Sequence, residues 1–159
     1  MEQYLFSDNL EENYKLMVQT VKAYIAGEPN IIANLSNTSA IINEYVKDIN
    51  WAGFYLMENG ELVLGPFQGK PACIRIPVGR GVCGTTAEKS ETIVVENVHQ
   101  FPGHIACDAA SNSEIVIPIM KNGEVFGVLD IDSPEFSRFG ELEKKYLEEV
   151  VATIETSLV

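Results

Sequence analysis

Two Asn-Gly steps, at 59–60 and 122–123, each interrupt a run of apolar and β-branched residues. Asn-Gly is the strongest short-range hairpin signal, because both central residues of a type I′ turn need positive φ. WAGFYLM (51–57) and ELVLGPF (61–67) flank the first step; EIVIPIM (114–120) and EVFGVLDID (124–132) flank the second. Two tight hairpins commit the chain to an antiparallel sheet, and such a sheet needs at least one face covered. The cover is supplied from both ends of the chain. Leu10, Tyr14, Met17, Val18, Val21 and Ile25 recur at helical spacing behind a capping box of Asp8 and Glu11, and Gly27 and Pro29 stop that helix. A second helix turns Ile31, Ile32, Leu35, Ile42 and Val46 toward a core. A last one, from about residue 139, carries Leu142, Tyr146, Val150, Ile154 and Leu158 on one stripe.

The expected class is α+β: an antiparallel sheet with helices packed on one face and a loop-covered ligand pocket on the other. The second cover is residues 65–112, rich in Gly and Pro and holding all three cysteines. Within it a strand is expected near 73–77, a short helix near 83–89, a strand near 92–96 and a long loop over 98–112. A loop of that length in a compact domain is usually functional or disordered. No repeat, low-complexity tract or linker divides the chain, so residues 1–159 read as a single domain.

Charge narrows the partners. With 11 Lys and Arg against 23 Asp and Glu, the formal net charge is −12, a field that repels phosphate backbones and anionic lipid. Nucleic acid and membrane surfaces are therefore poor partners. No apolar run approaches the roughly 20 residues that span a bilayer. The opening MEQYLFSDNLEENYK is too acidic for a leader, so a cytoplasmic location is expected. Cys73, Cys83 and Cys107 are odd in number and irregular in spacing, which argues against a structural disulfide framework. They also lack the Cys-x-x-Cys pairing of a zinc site.

Strand parity picks out candidate site residues. Trp51 and Tyr55 share one face of their strand with Gly53, while Ala52, Phe54 and Leu56 take the other. Asp130 and Asp132 share a face opposite Leu129 and Ile131. Glu114 opens the neighbouring strand, and its face depends on the turn. A two-residue Asn122-Gly123 loop pairs it with Ile131 and sends its side chain away; a three-residue Lys121-Asn122-Gly123 loop pairs it with Asp130 and makes three carboxyls converge. Both loops are physically reasonable. Convergence would keep at least one carboxyl protonated near neutrality, which makes a general acid.

Two cysteines compete for the nucleophile. Cys107 lies in the loop FPGHIACDAASNSE just before Glu114. A thiolate beside a protonated carboxyl suits the reduction of an oxidised sulfur, one attacking and the other protonating the departing oxygen. Nearby carboxylates raise a thiol pKa, and His104 is placed to offset that. Cys83 lies in GRGVCGTTAEKSE at an apparent helix start, where free N–H groups stabilise a thiolate or hold an anion. Local sequence does not choose between them.

NWAGFYL, LVLGPFQGKPACIRIPVGRGVCGTTAEK, VENVHQFPGHIACDAASNSEIVIPI and GVLDIDSPEFSRF together closely resemble the free methionine-(R)-sulfoxide reductases, stand-alone enzymes of the GAF fold. The resemblance runs from about residue 50 to 139. It implies Cys107 as the attacking thiolate, Cys73 as the resolving cysteine and Cys83 as an auxiliary. It also implies that Glu114, Asp130 and Asp132 hold the sulfoxide oxygen and substrate amine, that Trp51 and Tyr55 line the methyl pocket, and that the hairpin register favours convergence. The implied cycle ends in an intramolecular disulfide reduced by thioredoxin, with no metal or organic cofactor. Two other readings stand beside it: a non-catalytic GAF module that senses a small ligand, and a thiol redox sensor. The terminal helices offer a face for a homodimer, although their stripes suit the chain's own core equally well.

Overall fold

The computed structural model describes residues 8–105, 107 and 109–158; the first seven residues of the N-terminal segment read above for a leader lie outside them. Two helices come first, α1 (Leu10–Ile25) and α2 (Ile31–Tyr45), followed by strands β1 (Trp51–Glu58), β2 (Glu61–Gly69) and β3 (Arg75–Pro77). Then come α3 (Gly81–Lys89), β4 (Ile93–Val95), a 3₁₀ turn at Val98–Gln100, β5 (Ser113–Lys121), β6 (Glu124–Ser133) and α4 (Glu141–Ser157). The six strands form one sheet in the order β3-β2-β1-β6-β5-β4, every neighbouring pair antiparallel. The α+β reading holds.

The N-cap of α1 is one residue later than the sequence suggested. Asn9, not Asp8, accepts from the backbone N–H of Glu12 at 3.1 Å. Asp and Asn cap almost equally well, so packing decides between adjacent candidates. Starting at Leu10 still buries Tyr14, Met17, Val18, Val21 and Ile25, while Leu10 itself stays half exposed. On α2, Ile32 faces solvent rather than the core it was assigned to. Leu35, Ile41, Ile42 and Tyr45 are the hydrophobic side chains that helix buries.

The sheet separates two apolar clusters. On one face Ala52, Phe54, Ile115, Ile117, Leu129 and Ile131 pack against the stripes of α1, α2 and α4. On the other, Trp51, Tyr55, Leu62, Val116 and Val128 meet Ile76, Val82, Cys83, Val95 and Val98 from the central segment. The parity assigned to β1 and β6 is thus the parity observed.

Both hairpins turn on two residues with positive φ, Asn59 and Gly60 in one, Asn122 and Gly123 in the other. The second corrects the expected three-residue loop. Lys121 pairs with Glu124 and Met120 with Val125, but Ile119 pairs with Gly127, so Phe126 is an extra residue in β6. This bulge shifts the remaining register by one, which moves a whole strand's side chains between faces. Glu114 therefore lies opposite Asp132, not Asp130 or Ile131, and joins the carboxyl face by a bulge rather than by a longer turn.

Gly53 sits on that face between Trp51 and Tyr55, opposite Asp130 on one side and Phe67 on the other. A Cβ there would come within 2.7 Å of the Phe67 backbone. Gly53→Ala is expected to destabilise the chain by about 1–3 kcal/mol through overpacking, read by urea denaturation. An unchanged midpoint would show that β2 can yield.

Candidate active site

The middle of the sheet and the central segment enclose one pocket, and seven of the eight singled-out residues line it: Trp51, Tyr55, Cys83, Cys107, Glu114, Asp130 and Asp132. The eighth, Cys73, is disulfide-bonded to Cys107 across 34 residues, with 5.5 Å between Cα atoms. Cys83 is a buried free thiol.

β1 builds an aromatic wall. The Trp51 ring stacks on Phe67 at 5.1 Å between centroids and lies 5.9 Å from Tyr55. Its indole N–H donates to the Lys70 carbonyl at 3.2 Å, and the Tyr55 hydroxyl donates to the Cys73 carbonyl at 2.9 Å. These two bonds tie the Cys73 segment to the sheet and satisfy the polar ends of otherwise buried rings.

The Cys107 loop is fastened at its ends. Val98 N–H donates to the Asn112 carbonyl, and Asn112 N–H donates to the Ser133 carbonyl. The Asn112 side-chain amide donates to the Pro134 carbonyl at 2.7 Å, which leaves its oxygen facing His99 Nε2 at 2.9 Å.

Electrostatics dominate the pocket floor. Glu114, Asp130 and Asp132 are all buried. Burial pushes the Glu114 carboxyl well above the usual carboxylate range, and the charges of Asp130 and Asp132 and hydrogen bonds to both push it further. Asp130 is also raised, first by burial and then by Asp132, but hydrogen bonds from Cys83 and Glu114 pull it back. Burial among like charges holds both carboxyls above the ordinary range, so the cluster keeps a proton as a unit.

Two expectations about the cysteines' surroundings need correction. The start of α3 does not produce a Cys83 thiolate: burial, followed by the charges of Asp130, Glu114 and Asp132, pushes the thiol well up. Desolvation and three carboxyls outweigh a helix terminus. His104 lines the pocket, but burial and His99 push its pKa down, so it adds no fixed positive charge near Cys107.

Sequence reasoning missed Phe67, Arg80, Ser111 and Asn112. Arg80 is the one Lys or Arg side chain among the described lining residues, and it caps α3 without a side-chain bond of its own. The Gly79-Arg80-Gly81 entry to the helix was a usable signal for it. Phe67 follows from its place opposite Gly53, once the register is known.

The GAF domain family matches residues 23–159. Free methionine-R-sulfoxide reductase of Escherichia coli is 53% identical over 150 residues, covering 94% of this chain and 91% of that protein. The chain belongs to the free methionine-R-sulfoxide reductase family. The Staphylococcus aureus fRMsr solved with its substrate superposes at a TM-score of 0.89 with 52% identity, covering 92% of this chain and 96% of that one. The free methionine-R-sulfoxide reductase of Neisseria meningitidis, also solved with its substrate, superposes at 0.94 with 40% identity over 98% and 94%. Like the reductases it resembles, the chain has the GAF architecture, and no described helix is long and apolar enough to cross a membrane.

The raised Glu114 pKa has a stability signature. Below the ordinary carboxyl range Glu114 is protonated whether the chain is folded or not. As pH rises the unfolded chain ionises first, so stability is lost until the raised pKa of the folded state is passed. Glu114→Gln cannot ionise in either state. It should be more stable than the parent at neutral pH, with the gap closing near about pH 4. Urea denaturation at the two pH values checks this; a variant less stable at neutral pH would contradict it.

Proposed function

We propose that the protein reduces free L-methionine-(R)-S-oxide to L-methionine, with Cys107 as nucleophile, Glu114 as proton donor and Cys73 as resolving thiol. The carrying observation is the Cys73–Cys107 disulfide beside a pocket lined by the buried Glu114, Asp130 and Asp132 carboxyls, where burial pushes Glu114 well above the usual carboxylate range.

In the reduced chain, the Cys107 thiolate attacks the sulfoxide sulfur while Glu114 delivers a proton to its oxygen. Methionine leaves and Cys107 becomes a sulfenic acid. The Cys73 thiol condenses with it, releasing water and forming the disulfide. Two thiols are oxidised by two electrons and one sulfoxide is reduced by two, so the balance needs no metal or organic cofactor. Thioredoxin returns the two electrons by thiol–disulfide exchange, which fits a cytoplasmic location.

The rest of the pocket fits the amino acid. Asp130 and Asp132 offer negative charge to the substrate ammonium, and the Trp51/Tyr55 wall receives the S-methyl group. The first turn of α3, which also lines the pocket, offers backbone N–H groups beside Arg80, a natural partner for the α-carboxylate. Enclosure under the loop favours a free amino acid over a sulfoxide within a peptide. Cys83 serves as an auxiliary: its buried thiol lies beside the Asp130 and Glu114 carboxyls on the pocket wall.

An assay coupling methionine-R-sulfoxide to thioredoxin, its reductase and NADPH tests the cycle. The parent should turn over steadily. Cys107→Ser should release no methionine, because serine is a far weaker nucleophile. Cys73→Ser should release about one methionine per chain and then stall. Glu114→Gln should slow single-turnover release by about 100-fold or more. Methionine release by Cys107→Ser would overturn the mechanism, and normal cycling by Cys73→Ser would move the resolving role elsewhere.

A further inference from the structure

The mechanism above leaves Cys83 unoxidised, yet its sulfur does not stand alone. Its Sγ and one carboxylate oxygen each of Glu114 and Asp130 all lie within 4.8 Å of one another. All three side chains are more than nine-tenths buried, at 5%, 8% and 5% exposure. They come from three rigid elements, α3, β5 and β6. Asp130 Oδ1 is buried and has no hydrogen-bond partner among the described residues. An acceptor held without a donor in a low-dielectric pocket is an attractor for a cation.

We propose that Cys83, Glu114 and Asp130 form a binding site for a soft divalent cation of the zinc type, and that occupancy of this site closes the pocket to substrate. A tetrahedral ion with Zn–S near 2.3 Å and Zn–O near 2.1 Å needs donor separations of roughly 3.4–3.6 Å. The donors here have to close by only about an ångström, which small side-chain rotations supply. The ligand set of one thiolate and two carboxylates selects for zinc or cobalt over magnesium or calcium, which take six or more oxygens. Binding displaces the Cys83 thiol proton and the Glu114 proton, leaving three anionic ligands around a dication. With three protein ligands the fourth position opens into the pocket, where the substrate ammonium and sulfoxide would otherwise sit. The ion is thus an inhibitor rather than a cofactor.

The disulfide form is the right sample, because Cys73 and Cys107 are locked together and Cys83 is the one remaining thiol of three. Cobalt(II) added to the metal-stripped, oxidised protein should bind one equivalent and produce a near-ultraviolet thiolate-to-cobalt charge-transfer band. Zinc should abolish the band by displacement. Cys83→Ser should lose the band and bind cobalt roughly tenfold or more weakly, and Asp130→Asn should weaken binding similarly. Absence of the band in the parent at saturating cobalt would overturn the site. So would unchanged affinity in both variants, which would assign the ion to surface carboxylates instead.

The inhibitory half rests on the reduction reading and has its own readout. Zinc should suppress methionine release by the reduced chain, and a chelator should restore it. Release that persists with zinc bound would overturn the pocket-closing claim alone. Turnover without the band would leave the reduction reading intact, and the band without turnover would leave the site intact.

Discussion

Mutual repulsion among Glu114, Asp130 and Asp132, held together on one buried sheet face, is the constraint around which the molecule is arranged. Carboxylates in such surroundings cannot all ionise, so the cluster retains a proton. The same repulsion makes the pocket receptive to a cation. In the proposed reaction a free amino acid brings its ammonium there together with a sulfoxide oxygen that needs a proton. The cluster is costly for the fold, and the helix-side cluster of the sheet is what offsets it. Tyr14, Met17, Leu35, Phe54, Ile115, Leu129 and Val150 are essentially inaccessible and form the larger of the two apolar bodies.

Holding the carboxyls still is only half of the design. The two disulfide-bonded cysteines sit on segments that have little regular structure of their own, and hydrogen bonds to the sheet give those segments position. Tyr55 fixes the Cys73 carbonyl; Asn112 fixes both ends of the Cys107 loop through Val98, Ser133, Pro134 and His99. In the proposed cycle, attack on a substrate sulfur and then condensation with Cys73 require the Cys107 side chain to serve two partners in turn.

Much of this was legible in the residues. The Asn-Gly steps located both hairpins, and period-two parity placed Trp51 with Tyr55 and Asp130 with Asp132 because strand side chains alternate whatever the context. The bulge at Phe126 was not read from the residues, although Gly127 beside it, where a Cβ would meet the Tyr55 carbonyl, is the kind of strand glycine that marks one. The helix start at Asn9 rather than Asp8 reflects two equal caps separated by tertiary packing. Local sequence could not choose between the cysteines either. Cys83 has the better helix terminus, but its protonation is decided by residues more than 30 positions away. Only the likeness of whole motifs to known reductases singled out Cys107 and Cys73, and the disulfide joins that pair.

The central claim is that one sulfoxide reduced leaves one Cys73–Cys107 disulfide. Fully reduced protein given one equivalent of free methionine-R-sulfoxide, with no other electron acceptor, should yield one methionine and a chain lighter by two hydrogens. Peptide mapping after alkylation should then find Cys73 joined to Cys107 and Cys83 alkylated. Methionine formed with Cys73 and Cys107 both still free, or with the disulfide formed through Cys83, would contradict the account.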